Sequence, residues 1–490
     1  MKSLKYYSLF FTAIFFLSSC NDVLEEIPRD RLTSELFYKT KSDALAAVNA
    51  IYQPIRTTAC MGQFYNAQQD VMSDYSTGRG SYIPVGNYQG LDATNIGRTS
   101  GIWIQFYASI NYANIAIQQI PNIQMNTTEQ NALVAEARFM RAFCYYQLVR
   151  NWGAVPLRLE PTTSEKQIAA PRASVASVYN AIIEDLKAGE TALPDAAPQA
   201  GRPNKLAATA MLADVYLTQE KWELARDKSE QVISSGKYAL VEVSKADDFD
   251  KIFGAGASNN TEEIFHLKYN NQNGNGWPFF LLWDRTVYAP YGAFVLYSIP
   301  TNPFIRNWDN KDFRKQFDIF STYVDRVTGK LETLPASTPI LYSKYRDPGA
   351  PTNANFANDY PYLRYSEVLL IYAEAAAMAN KTPTALAIER LNMIKRRAYG
   401  LPSKVQSSLD YPSTGWDLDS FRDAVIQERG YEQFMEGKRW LDLKRTKKAA
   451  SAILASKNIV IKESHYLWPI PQQEIDTNPS LSQKDQNPGY

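Results

Sequence analysis

The sequence predicts a mainly α protein, a degenerate helical repeat scaffold that carries a loop-rich, aromatic-rich subdomain. Three observations predict it. Apolar residues recur at helical spacing through most of the chain. In Leu212-Ala213-Asp214-Val215-Tyr216, followed by Ala225, small residues and a tyrosine fall where two helices pack closely. From about Ser235 to Pro361 the periodicity weakens, and Gly, Asn, Pro and aromatic residues take over.

The elements follow in order. Leu45, Val48, Tyr52 and Ile55 mark the apolar face of a first helix, with Ser42 or Asp43 as its cap. Residues Gly62 to Arg98 show little helical signal and hold Gly78, Gly80, Gly86, Gly90 and Gly97 with Tyr65, Tyr75, Tyr82 and Tyr88, the profile of a functional loop. Helices are predicted near Ile102 to Ile120, from Glu129 to Arg150 (stopped by Gly153 and Pro156), from Val175 to Leu193, from a cap at Asn204 to Thr218, and from Trp222 to Ser234. The 212–225 spacing resembles a tetratricopeptide unit, and Ala373, Ala376 and Ala385 repeat the arrangement. Glu263 to Leu267 reads as a strand. Helices return at Leu363 to Ala379, Thr384 to Arg397 and Phe421 to Lys448, and Trp468-Pro469-Ile470-Pro471 closes against the body. The predicted organisation is a signal over 1–19, a tether over 20–40, a scaffold over 41–234 with a binding loop at 62–98, a variable subdomain over 235–361 and a C-terminal repeat over 362–490.

The N-terminus predicts location. Lys2 and Lys5 precede an uncharged stretch, Tyr6 to Leu17, and then Ser18-Ser19-Cys20 before acidic Asp22, Glu25 and Glu26. A basic start, an apolar run and small residues before a cysteine resemble a bacterial lipoprotein signal. Cys20 is then the lipidated mature N-terminus. The run is shorter than the roughly 20 residues a membrane span requires.

Composition excludes several classes. Charge is balanced, +1 from 52 basic and 51 acidic residues, so nothing points to nucleic acid as a partner. With two histidines, His266 and His465, no His-Glu-x-x-His spacing and no Gly-x-Ser-x-Gly elbow, neither a metal centre nor a hydrolase triad is predicted, and no cofactor is expected. Both histidines read as structural. Cys60 and Cys144 remain after Cys20; Cys144 reads as a small buried residue, and spacing does not support a disulfide between the two.

Several blocks together resemble the SusD/RagB family of Bacteroidetes outer-membrane lipoproteins. They are Cys20-Asn21-Asp22-Val23-Leu24, Arg138-Phe139-Met140-Arg141-Ala142-Phe143 running to Trp152-Gly153, Tyr362-Leu363-Arg364-Tyr365-Ser366-Glu367, Glu436-Gly437-Lys438-Arg439-Trp440-Leu441-Asp442-Leu443, Leu467-Trp468-Pro469-Ile470-Pro471 and the ending Asn487-Pro488-Gly489-Tyr490. The resemblance implies a surface-exposed, lipid-anchored binding protein of the outer membrane, not an enzyme. It would capture oligosaccharides, or peptides as in some members, and pass them to a SusC-like TonB-dependent transporter.

The candidate binding residues are loop aromatics with an adjacent arginine: Trp277, Trp283 and Tyr291 first, then Tyr75, Arg79 and Tyr82. A ring covering ~100 Å² of a sugar's apolar face at about 25 cal/mol/Å² contributes roughly 2.5 kcal/mol gross. Trp103, Trp152, Trp222, Trp440 and Trp468 read as core. Glu428, Glu432 and Glu436, spaced four apart, offer paired carboxylates for glycoside hydrolysis; an ion-pair network locking the scaffold is the favoured reading. Arg138, Arg141 and Arg150 are expected to meet acidic residues of adjacent helices. Asp309-Asn310-Lys311-Asp312 lacks calcium-loop spacing and reads as a helix cap.

Overall fold

The computed structural model describes residues 38–490 apart from 92, 165–166, 273–275, 278–285, 287–293 and 353. The expected signal, Cys20, and the candidates Trp283 and Tyr291 lie outside the described residues.

The N-terminal half is a stack of helices in chain order: α1 (Lys41–Arg56), α2 (Phe64–Val71), α3 (Ala93–Gln119), α4 (Thr127–Trp152), α5 (Val175–Ala192), α6 (Lys205–Thr218) and α7 (Trp222–Ser234). α1 packs on α3, and from α3 onward each helix packs on the next. Local chemistry sets the boundaries. Asn204 Oδ1 accepts from Ala207 N at 2.8 Å to start α6, and Asn126 caps α4 through the amides of Thr128 and Glu129. Thr40, not Ser42 or Asp43, caps α1; Asp43 closes a reciprocal capping box by accepting from the Thr40 amide at 2.7 Å. Ala213, Tyr216 and Ala225 are buried where α6 meets α7, as the tetratricopeptide-like spacing requires.

In the C-terminal half, α8 (Tyr365–Asn380) packs against α7, α9 (Ala385–Ala398) and α10 (Leu418–Glu432), so the two halves share one stack. Thr384 Oγ1 caps α9 by accepting from Ala387 N at 3.1 Å. The single helix expected over Phe421 to Lys448 is instead split into α10 and α11 (Arg439–Arg445), with α12 (Ala449–Lys457) following directly after Lys448. Met435 at φ 59° and Gly437 at φ 67° turn the chain after α10, a backbone no helix continues through.

The subdomain between the halves is built of short pieces. β1 (Thr77–Gly78) pairs antiparallel with β3 (Leu296–Tyr297), and β2 (Glu263–Leu267), the expected strand, pairs with β4 (Tyr360–Arg364). Phe265 of β2 packs edge-on against Phe139 of α4, with ring centroids 5.0 Å apart, which anchors the subdomain to the scaffold. The closing tail is pinned as expected: Trp152 Nε1 donates to Pro469 O at 2.8 Å, and the Trp152 and Trp468 rings meet edge to face at 4.9 Å. Cys60 and Cys144 are both buried and free. Among the described residues no helix is long and apolar enough to cross a membrane.

Candidate functional site

The β1–β3 pairing brings the expected loop of 62–98 against residues 294–295. The Arg79 amide donates to Val295 O at 2.8 Å, and the Arg79 guanidinium lies 4.5 Å from the Phe294 ring centroid. Gly78 permits the return of the 79–82 turn onto β1, because a Cβ there would lie 2.4 Å from Tyr82 O. Arg98 enters from α3. Its Nη1 donates to Asn95 Oδ1 at 2.5 Å, its Nη2 donates to Ser81 Oγ, and its guanidinium covers the Tyr82 ring at 3.9 Å.

The result is an open cleft of about 460 Å³ lined by Gln63, Phe64, Arg79, Tyr82, Arg98 and Phe294, among others. Two expected residues, Arg79 and Tyr82, are thus brought together. Arg79 is exposed, whereas Tyr82 is 2% exposed and its hydroxyl has no hydrogen-bond partner among the described residues. Burial pushes that hydroxyl up to about 12, with Arg98 opposing. The hydroxyl oxygen is itself shielded from solvent, and the Arg98 guanidinium lies over the ring. Among the described lining residues none carries a carboxylate.

Two other candidates are corrected. Trp277 is 0% exposed, packed between Tyr269, Tyr345 and Tyr360, and bridged to Phe356 through its backbone, so its ring offers no face to a ligand. Tyr75 is also fully buried; its hydroxyl donates to Asp70 Oδ1 at 2.6 Å, and its ring lies 4.4 Å from that of Phe434. Phe64, Arg98 and Phe294 were not singled out from sequence. The only sequence signal for Arg98 was its place at the end of the glycine- and tyrosine-rich stretch.

Asp70 gives a pH test of this interior. Burial pushes its carboxyl up to about 7, against the opposing pull of the Tyr75 hydrogen bond. A raised value means that its contribution to stability is complete below the ordinary range near 4 and is lost as pH rises through about 7. Asp70→Asn removes this dependence. The wild type should therefore lose stability relative to the variant between pH 4 and 7, as chemical denaturation at a series of pH values measures.

The remaining charged motifs are structural. Glu428, Glu432 and Glu436 are at most 3% exposed. Glu432 accepts from Arg364 and Arg397, and Glu436 from Lys344 and Arg364, so no substrate reaches them. Arg141 pairs with Asp185 at 2.8 Å, while Arg138 and Arg150 lie within 3.9 Å of Asp185 and Asp214. Asp312 caps the short helix Phe313–Asp318, as expected. His266 is buried, and desolvation holds its imidazole well below the usual range, in the neutral form.

Fold and cleft together define a helical-repeat protein with an open cleft where the 79–82 turn, α2, α3 and residues 294–295 meet. The sequence model described as "SusD family" matches residues 322–490, and a second, described as "Starch-binding associating with outer membrane", matches residues 22–217. The chain belongs to the SusD/RagB family. It is 29% identical to SusD-like protein P2 of Formosa agariphila, across 99% of this chain and all of that one. It superposes on the crystal structure of a SusD homolog from Bacteroides thetaiotaomicron with a TM-score of 0.80 at 23% identity, covering 94% of this chain and 99% of that one. It superposes on a laminarin-binding SusD-like protein with a TM-score of 0.74 at 24% identity, covering 92% and 100%.

Proposed function

We propose that this protein is a lipid-anchored glycan-binding protein of the outer membrane that captures oligosaccharide in the Arg79–Tyr82 cleft and passes it to a SusC-like TonB-dependent transporter. In this reading residues 1–19 direct export, Cys20 carries the lipid, residues 20–40 form the tether, and 41–234 and 362–490 form the scaffold that holds the variable subdomain of 235–361. The observation that carries the reading is the cleft itself. An exposed guanidinium and the half-buried Phe64 ring line an open cleft in a fold shared with a laminarin-binding protein. Arg79 donates to vicinal sugar hydroxyls, and Phe64, the half-buried ring of the lining, supplies apolar surface. One or two stacking contacts of about 2.5 kcal/mol gross, less ordering costs, correspond to micromolar to millimolar affinity. Such weak binding suits a carrier that must release its cargo.

Calorimetry with laminarin, other neutral oligosaccharides, acidic oligosaccharides and short peptides tests the reading. Arg79→Ala should weaken binding of the responding ligand about ten-fold, or about 1.4 kcal/mol, without changing thermal stability. Wild-type affinity in this variant would remove the cleft from the binding site. A response to peptides alone would replace glycan by peptide as cargo.

A further inference from the structure

A second cavity, of about 280 Å³, lies between the two helical halves, remote in sequence from the 79–82 turn. Its wall draws on α4, α6, β4, α8, α10, α11 and the closing tail. Arg150, Thr218, Lys444, Arg445, Tyr466 and Leu467 form a half-buried rim, while Tyr362, Glu367 and Arg429 are buried deeper.

The charges of this wall do not balance. Arg445 is saturated, with Nε on Asp442 at 2.7 Å and both Nη atoms on Glu374. Lys438 is bound to Glu367. Arg429 Nε donates to Asp442 at 2.8 Å and its Nη2 lies 3.5 Å from Glu367, but its Nη1 has no hydrogen-bond partner among the described residues, although the residue is 2% exposed. Arg150 reaches Asp214 only at 3.8 Å. Lys444 has no carboxylate partner among the described residues: its ammonium donates to the carbonyls of Arg150 at 2.9 Å and Tyr466 at 3.2 Å. The Lys444 ammonium therefore lies at the cavity with no carboxylate partner among the described residues, beside the unsatisfied Nη1 of a guanidinium that is itself paired, and a buried cation is stable only when paired.

We propose that this cavity is a binding site for a small oxyanion, a sulfate or carboxylate group seated between Lys444, Arg150 and Arg429. The anion would neutralise the excess positive charge, take the free Nη1 hydrogen bond of Arg429 and join the α4–α6 side of the scaffold to the α10–α11 side. The site stands independently of the cleft, so either can fail alone.

The electrostatics give it a distinctive signature. Burial, reinforced by Arg150, holds the Lys444 ammonium down to about 7. The other charged groups facing the cavity are Asp214 from α6, Glu367 from α8, Arg429 from α10, and Lys438, Asp442 and Arg445 at and within α11, with the hydroxyls of Tyr65, Tyr179, Tyr362 and Tyr466. A bound anion favours the protonated lysine, so binding takes up a proton near neutral pH.

Calorimetry on the full mature protein with sodium sulfate, against sodium chloride at equal ionic strength, tests this. Sulfate should bind roughly ten-fold or more tightly at pH 6 than at pH 8.5. Lys444→Arg, which stays charged throughout, should bind at both pH values with less than a two-fold difference. Proton uptake on binding at pH 7.5, read in buffers of different ionisation enthalpy, gives the same test on the wild type should the variant fold poorly. A parallel titration with glucuronate distinguishes the acid group of a sugar from a free inorganic anion. No sulfate or glucuronate heat above chloride at pH 6, or a ten-fold pH dependence surviving in Lys444→Arg, would overturn the proposal.

Discussion

Glu432→Ala should destabilise the protein by about 3–5 kcal/mol, because it strips the shared counter-ion from three buried guanidiniums. Glu432 Oε1 accepts from Arg364 at 2.9 Å and Arg397 at 2.5 Å, and Oε2 accepts from Arg314 at 3.1 Å. All four side chains are at most 3% exposed. Arg364 and Arg397 also share Glu262 from the edge of β2, so the network ties the variable subdomain to α9 and α10. Burial alone would raise the Glu432 carboxyl, but Arg397, Arg364 and Arg314 hold it well below the usual carboxylate range. A lowered value means that its stabilisation is present above the ordinary range near 4.5 and is lost as pH falls. The predicted loss measures an abandoned set of charges, not the net worth of the network against an apolar replacement. Urea denaturation of Glu432→Ala and of the milder Glu432→Gln is the measurement. A loss below about 1 kcal/mol in both would mean that water reaches these groups and that their burial has been misread.

The same cluster shows how far the sequence could be read. Four-residue spacing placed Glu428 and Glu432 on one helical face, and the preference for an ion-pair network over catalysis agrees with their burial. It could not show that Glu436 lies beyond a break, because the turn depends on left-handed backbone at Met435 as well as at Gly437. Helices with local caps and an apolar stripe were legible almost to the residue, as in Val175–Ala192, capped by Ser174. The helix Phe64–Val71 was not. Its Asn66, Gln68, Gln69 and Asp70 are all buried, so its polarity pattern marks no solvent face. Their partners lie far along the chain: Gln69 Nε2 donates to Asn151 Oδ1 at 2.6 Å, and Asp70 accepts from Gly437 N. For the cleft, sequence could nominate Arg79 and Tyr82 as an exposed-looking pair. It held no signal for Phe294, which reaches them only through the β1–β3 pairing.

Trp277 separates the two kinds of aromatic residue that look alike in a glycine- and asparagine-rich stretch. Trp277→Ala should lose about 3–5 kcal/mol of stability, and the milder Trp277→Phe about 1–3 kcal/mol, while the folded Trp277→Phe protein keeps ligand affinity within two-fold. The ring stacks nearly parallel on Tyr269 at 5.7 Å and meets Tyr345 edge-on at 4.6 Å, and the Trp277 amide donates to Phe356 O at 2.9 Å. Truncation therefore opens a cavity inside the subdomain that holds Phe294 against Arg79, rather than removing a surface for sugar. Arg79→Ala should behave in the opposite way, since the side chain it removes is exposed at the cleft. Thermal unfolding and calorimetry on the same two preparations resolve the pair. Binding lost with stability intact in Trp277→Phe would return that tryptophan to the ligand site, and it would show that the subdomain opens in solution far enough to expose a ring buried here.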